Sequence, residues 1–361
     1  MRAFRLSVPA NLLLVGEYAV TEEGGLGIAL AAQPRVCITV SPASSLQIEG
    51  LMGTLNYTWD LASRKEPPSL AAACLAVCQA AGLGSAPGAS NYSAAGASNY
   101  SAAGASNYSA TGASLWPFAP ARIVVDSSAF FSADGSKRGL GSSAATAVAL
   151  VAALLALGGL EDEDLRRASY PLALAAHRSF QGGRGSGYDV AASCFGGLGL
   201  FTGGATPSWE ALVGGAPGRR LSPAALPSLA LFRGPKAVSS PESVGLYQAW
   251  RLAHPGAFRD FLAASQAGVL TLADTDNPAK ALEALKQAAR RGLELGAAIG
   301  VPADFGAEGS YEGPRDGGGP ASSQLVIKAL GAGNELGLKA SLEARAWLEP
   351  LILEPEGLRW D

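Results

Sequence analysis

The turn Gly139-Leu140-Gly141-Ser142-Ser143-Ala144-Ala145 runs directly into an apolar stretch ending at Leu157, and this junction constrains the fold more than any other segment. Glycine adopts left-handed backbone conformations without penalty and lets the main chain approach a ligand closely. A helix starting at Ser142 would aim unpaired N–H groups and the positive end of its dipole at an anion. Ser142 and Ser143 can cap that helix, contact phosphate oxygens or help hold a metal ion. Taken alone, an ordinary Gly-Ser capped helix gives the same pattern. No Gly-Lys-Ser/Thr follows, so the turn is not a Walker loop. The apolar run from Ala144 to Leu157 falls short of the roughly 20 residues a membrane span needs, and it predicts a buried helix.

Charged residues near other glycines add chemistry to this turn. Lys137 and Arg138 immediately precede it, and Lys137 is suited to neutralising charge as a phosphoryl group moves. A solvated Lys-Arg pair is the plainer alternative. Gln181-Gly182-Gly183-Arg184-Gly185-Ser186-Gly187-Tyr188-Asp189 forms a second glycine turn before a helix. Asp189 there can accept or orient a proton on an attacking oxygen, or cap the helix that follows. A third turn, Lys328-Ala329-Leu330-Gly331-Ala332-Gly333-Asn334-Glu335-Leu336-Gly337, lies between two apolar segments and also reads as a simple strand junction.

The rest of the chain bounds what surrounds these turns. Its 361 residues are 48% apolar and 16% charged, which suits a globular protein with a sizeable core. The net charge of −3, from 27 basic and 30 acidic residues, lacks the basic stripe of a nucleic-acid binder. Any anionic substrate must then be held by a few placed cations. The opening residues show no apolar core with a cleavage site, so no signal peptide is expected and a cytoplasmic location is. Cys37, Cys74, Cys78 and Cys194 lack metal-site spacing and are expected as reduced, buried thiols.

Local patterns predict strands over 4–8, 12–15, 36–40, 123–125, 229–232 and 323–330, and helices over 69–81, 142–157, 162–181, 188–194, 240–265 and 277–300. Residues 88–114 repeat the octet G-A-S-N-Y-S-A-A with small changes, a composition that builds no core and reads as a surface insertion. A Gly/Pro/Ser-rich patch at 203–227 reads as a link between two halves, placing domains at 1–205 and 226–361. Strands and helices in both halves point to an α+β protein of two lobes.

In order and spacing, three segments of the chain resemble the three motifs of the GHMP kinases. Pro9-Ala10-Asn11-Leu12-Leu13-Leu14-Val15-Gly16-Glu17-Tyr18-Ala19-Val20 is similar to the first motif, 139–145 to the second, and 331–337 sits where the third belongs. Asp126, Phe130-Phe131, His177 with Gln181, the 185–191 segment and Ser239-Ser240 resemble the phosphomevalonate kinase branch.

The resemblance implies a two-lobed GHMP kinase fold, with an N-terminal α+β lobe and a ferredoxin-like C-terminal lobe. ATP and Mg2+ are the implied cofactors. The implied activity is phosphorylation of 5-phosphomevalonate to the diphosphate in the mevalonate route to isoprenoids. Alternatives are a mevalonate kinase or another small-alcohol kinase of the family, or a degenerate nucleotide-binding member. By this carry-over Asp189 and Lys137 are catalytic. Gly139, Leu140, Gly141, Ser142, Ser143, Ala144, Gly331 and Gly333 bind nucleotide, and Ser142 and Ser143 also contact the metal. Glu17, Tyr18, Arg184, Ser186, Gly187, Lys236, Ser239 and Ser240 bind a small phosphorylated substrate. A monomer or homodimer is expected, with neither nucleic acid nor membrane as partner.

Three positions depart from the family pattern. Ala10-Asn11 stands where the first motif carries Gly-Lys, Asn334 and Glu335 interrupt the third motif, and the stretch before Asp189 has His177, Arg178 and Gln181 where some members use a glutamate for magnesium.

Overall fold

A computed structural model describes residues 2–53, 55–63, 65–81, 119–183, 185–212, 221–234, 240–305, 325–330, 336–343 and 350–361. The octet repeat, Arg184, Lys236, Ser239, Gly331, Gly333, Asn334 and Glu335 lie outside these residues, as does the side chain of Ser240.

The elements in chain order are β1 (Phe4–Val15), β2 (Leu26–Pro42), β3 (Gln47–Met52), β4 (Leu55–Asp60), α1 (Ser69–Ala80), β5 (Ala121–Asp126), α2 (Ser142–Leu157), α3 (Asp162–Phe180) and α4 (Tyr188–Phe195). They continue with β6 (Leu198–Thr202), β7 (Ser208–Ala211), β8 (Ser228–Arg233), α5 (Ser240–Ala253), α6 (Pro255–Ala273), α7 (Pro278–Ile299), β9 (Leu325–Leu330), β10 (Leu336–Ser341) and β11 (Arg359–Trp360). The chain is therefore α+β. It divides into two compact units, one of Met1–Asn11, Ala31–Gly196 and Glu354–Asp361, the other of Leu12–Leu30 and Gly197–Leu353. β1 and β2 are long enough to contribute residues to both.

In the first unit the strands follow the order β11-β1-β2-β5-β3-β4, with β3 parallel to β5 and antiparallel to β4. Helix α2 is apolar on every side and buried from Ala144 to Leu155, except for a half-exposed Thr146, so it forms the centre of the helical layer with α1, α3 and α4 around it. Helix α3 is amphipathic, with Asp162, Glu163 and Asp164 in its first turn and His177 and Arg178 in its last, the charge order its dipole favours. The C-terminal strand is anchored by Arg35, whose guanidinium donates to the Glu354 carboxylate at 3.0 Å and to the Gly357 carbonyl at 2.6 Å. In the second unit the start of β2 pairs with β6, which pairs with β7, and a separate sheet runs β8-β10-β9 beside α5, α6 and α7.

The helices at 142–157 and 162–180 fall where the sequence places them. Three expectations differ. Strands 4–8 and 12–15 are one strand, because the Asn11 amide donates to the Leu140 carbonyl at 3.2 Å and the chain passes Pro9 without turning. The helix expected over 240–265 breaks at His254, and Pro255 opens α6, the position where its missing N–H and fixed φ cost least. Cys74, Cys78 and Cys194 are buried free thiols, but Cys37 is only half-buried. Among the described residues no helix is long and apolar enough to cross a membrane.

Candidate functional site

The glycine turn at 139–141 builds the start of α2. Gly139 has φ 75° and Gly141 φ 72°, left-handed values that glycine takes freely. Gly141 is the N-cap and no side chain caps the helix. The first α-helical bond runs from the Ala145 amide to the Gly141 carbonyl at 3.2 Å, so the amides before it have no α-helical acceptor. The serines expected as caps are thus left for other contacts.

What fixes this turn is Asn11. Only 2% exposed, its amide nitrogen donates to the Gly141 carbonyl at 3.2 Å and to Ser193 Oγ at 2.9 Å, while Ser193 Oγ donates to the Pro9 carbonyl at 2.9 Å. A Cβ on Gly141 would sit 2.2 Å from Asn11 Oδ1. Where the family pattern carries a lysine, this chain has a buried neutral link between β1, the glycine turn and α4. Its signal in the sequence was the departure itself, an Asn inside an apolar strand.

The second glycine turn lies in the same unit. Gly185 and Gly187 have φ 110° and 94°, and Gly187 caps α4. Arg178 holds the turn through two carbonyls, Nε to Gly185 at 3.2 Å and Nη2 to Ser186 at 3.0 Å. Burial pulls its guanidinium below the ordinary value, against the opposing pull of Tyr170 and Asp189. Ser186 is buried. Asp189 stands in the first turn of α4, where the dipole favours its charge, and its Oδ1 accepts from the Val190 amide at 2.9 Å.

Buried His177 joins the two turns. Its Nε2 lies 3.1 Å from Ser143 Oγ and its Nδ1 lies 3.5 Å from Asp189 Oδ2. Ser143 and Asp189, expected as site residues, are thus brought together through a third residue to which the sequence assigned no role. Lys137 is exposed at the foot of a short turn, its backbone bridged to Phe131, and has no ion-pair partner among the described residues.

In the second unit, Glu17 and Tyr18 line a small solvent-open cavity with Phe261, Arg291, Leu295 and Lys328. The Glu17 carboxylate is paired with the Lys328 ammonium, which also donates to the Ala329 carbonyl at 2.9 Å. The Lys328 side chain is 3% exposed, so Glu17 serves first as counter-ion to a buried lysine. Tyr18 holds φ 63°, rare for a residue with a side chain, and packs its ring 5.1 Å from Tyr247.

No group of three His, Cys, Asp or Glu able to hold a metal occurs among the described residues. Magnesium bound mostly through phosphates needs fewer protein ligands, and the oxygen donors at Ser142, Ser143 and Asp189 are of the kind it takes.

Residues 99–197 match the family model for the GHMP kinases N terminal domain. No curated protein matches the chain in sequence. Among solved structures, the Lin0012 protein of Listeria innocua is 19% identical, covering 95% of this chain and 92% of its own, with a TM-score of 0.70. Phosphomevalonate kinase of Streptococcus pneumoniae, solved with phosphomevalonate and AMPPNP, is 18% identical over 95% of this chain and 93% of its own, with a TM-score of 0.61. Mevalonate kinase of Methanococcus jannaschii is 14% identical over 95% and 91%, also with a TM-score of 0.61. The chain has the GHMP kinase fold, and its residues 99–197 match the model of that family's N-terminal domain.

Proposed function

We propose that this chain is an ATP-dependent phosphotransferase whose acceptor is the phosphate of 5-phosphomevalonate. The observation that carries the reading is the joining of an uncapped glycine-turn helix start to a lone carboxylate, Asp189, through His177. In the transfer, the bond from the γ-phosphorus to the β,γ-bridging oxygen breaks. A bond from that phosphorus to an acceptor phosphate oxygen forms, and ADP leaves. Magnesium, when bound with the nucleotide, supplies charge neutralisation at the phosphates.

The remaining work falls to the chain. The helix start at Ser142 receives phosphate oxygens on its amides. Lys137, exposed and two residues before Gly139, offsets the charge that builds during transfer. Asp189 orients the acceptor, which is already anionic and has little need of a strong base. The resemblance of the 185–191 segment to the phosphomevalonate kinase branch supports the phosphorylated acceptor, with Arg184 as an added cation in the acceptor turn.

A small-alcohol acceptor is the second reading, since mevalonate kinases share this fold to the same degree as phosphomevalonate kinase. The test is ADP release over mevalonate, phosphomevalonate, galactose and homoserine, with KM for both substrates in wild type and Arg184→Met. The proposal expects turnover with phosphomevalonate and a KM increase for it well above that for ATP, since Met cannot replace a bidentate guanidinium contact. Efficient turnover of mevalonate would promote the second reading. Nucleotide binding without turnover of any acceptor would leave a binding protein.

A further inference from the structure

We propose that His177 is a positioning residue that sets the Ser143 hydroxyl for the nucleotide and the Asp189 carboxylate for the acceptor. The inference rests on the phosphotransferase reading above and assigns a role to a residue which that reading leaves without one.

Ionised Asp189 only accepts hydrogen bonds, so the nitrogen facing it is best protonated. That nitrogen is Nδ1, 3.5 Å from Oδ2. With the ring proton assigned to Nδ1 by this contact, Nε2 presents a lone pair that accepts from the Ser143 hydroxyl at 3.1 Å. The Ser143 proton is thereby turned toward His177, leaving the remaining lone pair of Oγ free. Ser143 then acts as an acceptor, fit for a cation or water, while Ser142 keeps a free hydroxyl proton for a phosphate oxygen.

The two contacts differ in kind. The contact to Ser143 is within hydrogen-bond range, and the one to Asp189 is longer than an ordinary N–H···O bond and acts as electrostatic guidance. The imidazole is held firmly enough to transmit both, at 2% exposure and with the Phe180 ring stacked 6.4 Å away. The Asp189 side chain, at 21% exposure, retains room to close on an acceptor. This chain has the imidazole in the stretch where some family members carry a magnesium-binding glutamate. A neutral ring cannot replace that charge, but it can orient a serine that takes over one ligand place.

Three substitutions separate the two halves of the role. His177→Gln reaches the Nε2 position and can still meet Ser143, whereas His177→Asn reaches only the Nδ1 position and can still meet Asp189. His177→Phe keeps the ring volume and loses both contacts, so folding is preserved by packing. The measurements are Kd for AMPPNP with and without magnesium by calorimetry, kcat and KM for phosphomevalonate, and Tm.

His177→Asn should lose about fivefold to tenfold in magnesium-dependent AMPPNP affinity, the size of one buried hydrogen bond, and keep acceptor KM near wild type. His177→Gln should keep nucleotide affinity near wild type and lose about threefold to fivefold in kcat/KM for the acceptor, the smaller effect of the longer contact. His177→Phe should show both losses with Tm close to wild type. If all three variants lose the two properties equally and in step with Tm, His177 is a packing residue and the proposal fails. Wild type that neither binds AMPPNP nor releases ADP would overturn the functional reading and this inference together. An active wild type with unaltered variants would overturn the inference alone.

Discussion

The glycine turn at 139–141 and the Glu17-Tyr18 turn are both irregular backbone in segments that resemble family motifs, yet they are held by opposite means. The first is fixed by short neutral contacts from Asn11, at 2.9 to 3.2 Å, around glycines that take positive φ freely. The second is fixed by a buried ion pair, Glu17 with Lys328, and holds a tyrosine at φ 63°. In a neutral network each lost hydrogen bond costs about 1–3 kcal/mol, whereas removing one member of a buried pair strands a charge and costs about 3–5 kcal/mol. The turn proposed to bind phosphate therefore tolerates loss of single contacts better, and its electrostatics are left to the ligand.

The largest expected effect tests whether the first region is a chemical site at all. Asp189→Asn keeps the size of the side chain and its contact with the Val190 amide but removes the charge. Turnover should fall by roughly 10²–10⁴-fold with Tm nearly unchanged. A variant with wild-type kcat would deprive Asp189 of its role and leave the two regions alike as scaffolding.

Next comes the ion pair. Lys328→Met should destabilise the protein by about 3–5 kcal/mol in denaturant unfolding, because Glu17 is left without its counter-ion. Adding Glu17→Gln should restore most of that loss. If the double variant is as unstable as the single one, the lysine acts through packing and the contrast between the two turns collapses.

Gly141→Ala probes the neutral turn with a smaller cost. Its φ of 72° and a Cβ only 2.2 Å from Asn11 Oδ1 should together cost about 1–3 kcal/mol. Pairing it with Asn11→Ala should recover part of the loss by removing the clash, as measured by Tm and AMPPNP affinity. An additive double variant would show that the two residues do not share one space.

These contrasts also explain what could be read in advance. Helix α2 was legible because its turn and its apolar run agree in one place, as was α3 through its charged ends. Strands β3, β6 and β10 were not, and in each a glycine interrupts the strand pattern. Gly50 is covered by the ring of Tyr57, Gly199 by Trp209 and Gly337 by Phe232, each from the neighbouring strand. A cross-strand ring supplies the surface that glycine lacks, so the stabilising residue is remote in sequence and local propensity misses it. Of the candidate site, the turns and Asp189 were visible as glycine punctuation. Asn11, His177 and Arg178 act across elements, and their partners at Gly141, Ser143 and Gly185 could be found only once the chain was folded.

The smallest effect appears only in alkali and separates the two turns by titration. Residues 139–144 contain no titratable side chain. Tyr18, by contrast, has its phenol pushed up to about 12 from 10.0, chiefly by burial and further by the Glu17 charge, against a hydrogen bond with Ser243 that lowers it. A raised value means that the folded state favours the neutral phenol. The stability this gives is fully present below pH 10 and is lost as pH rises through 12. Tyr57, Tyr170 and Tyr247 are raised as well, so the total alkaline loss is shared. The informative quantity is the difference in unfolding free energy between wild type and Tyr18→Phe as a function of pH. Below pH 10 it should be a constant offset from the lost Ser243 contact. Between pH 10 and 12 the wild type should lose stability faster than the variant, closing and then reversing that offset. A difference that stays flat to pH 12 would show a phenol titrating alike in folded and unfolded chains, and the second turn would then owe nothing to the burial of Tyr18.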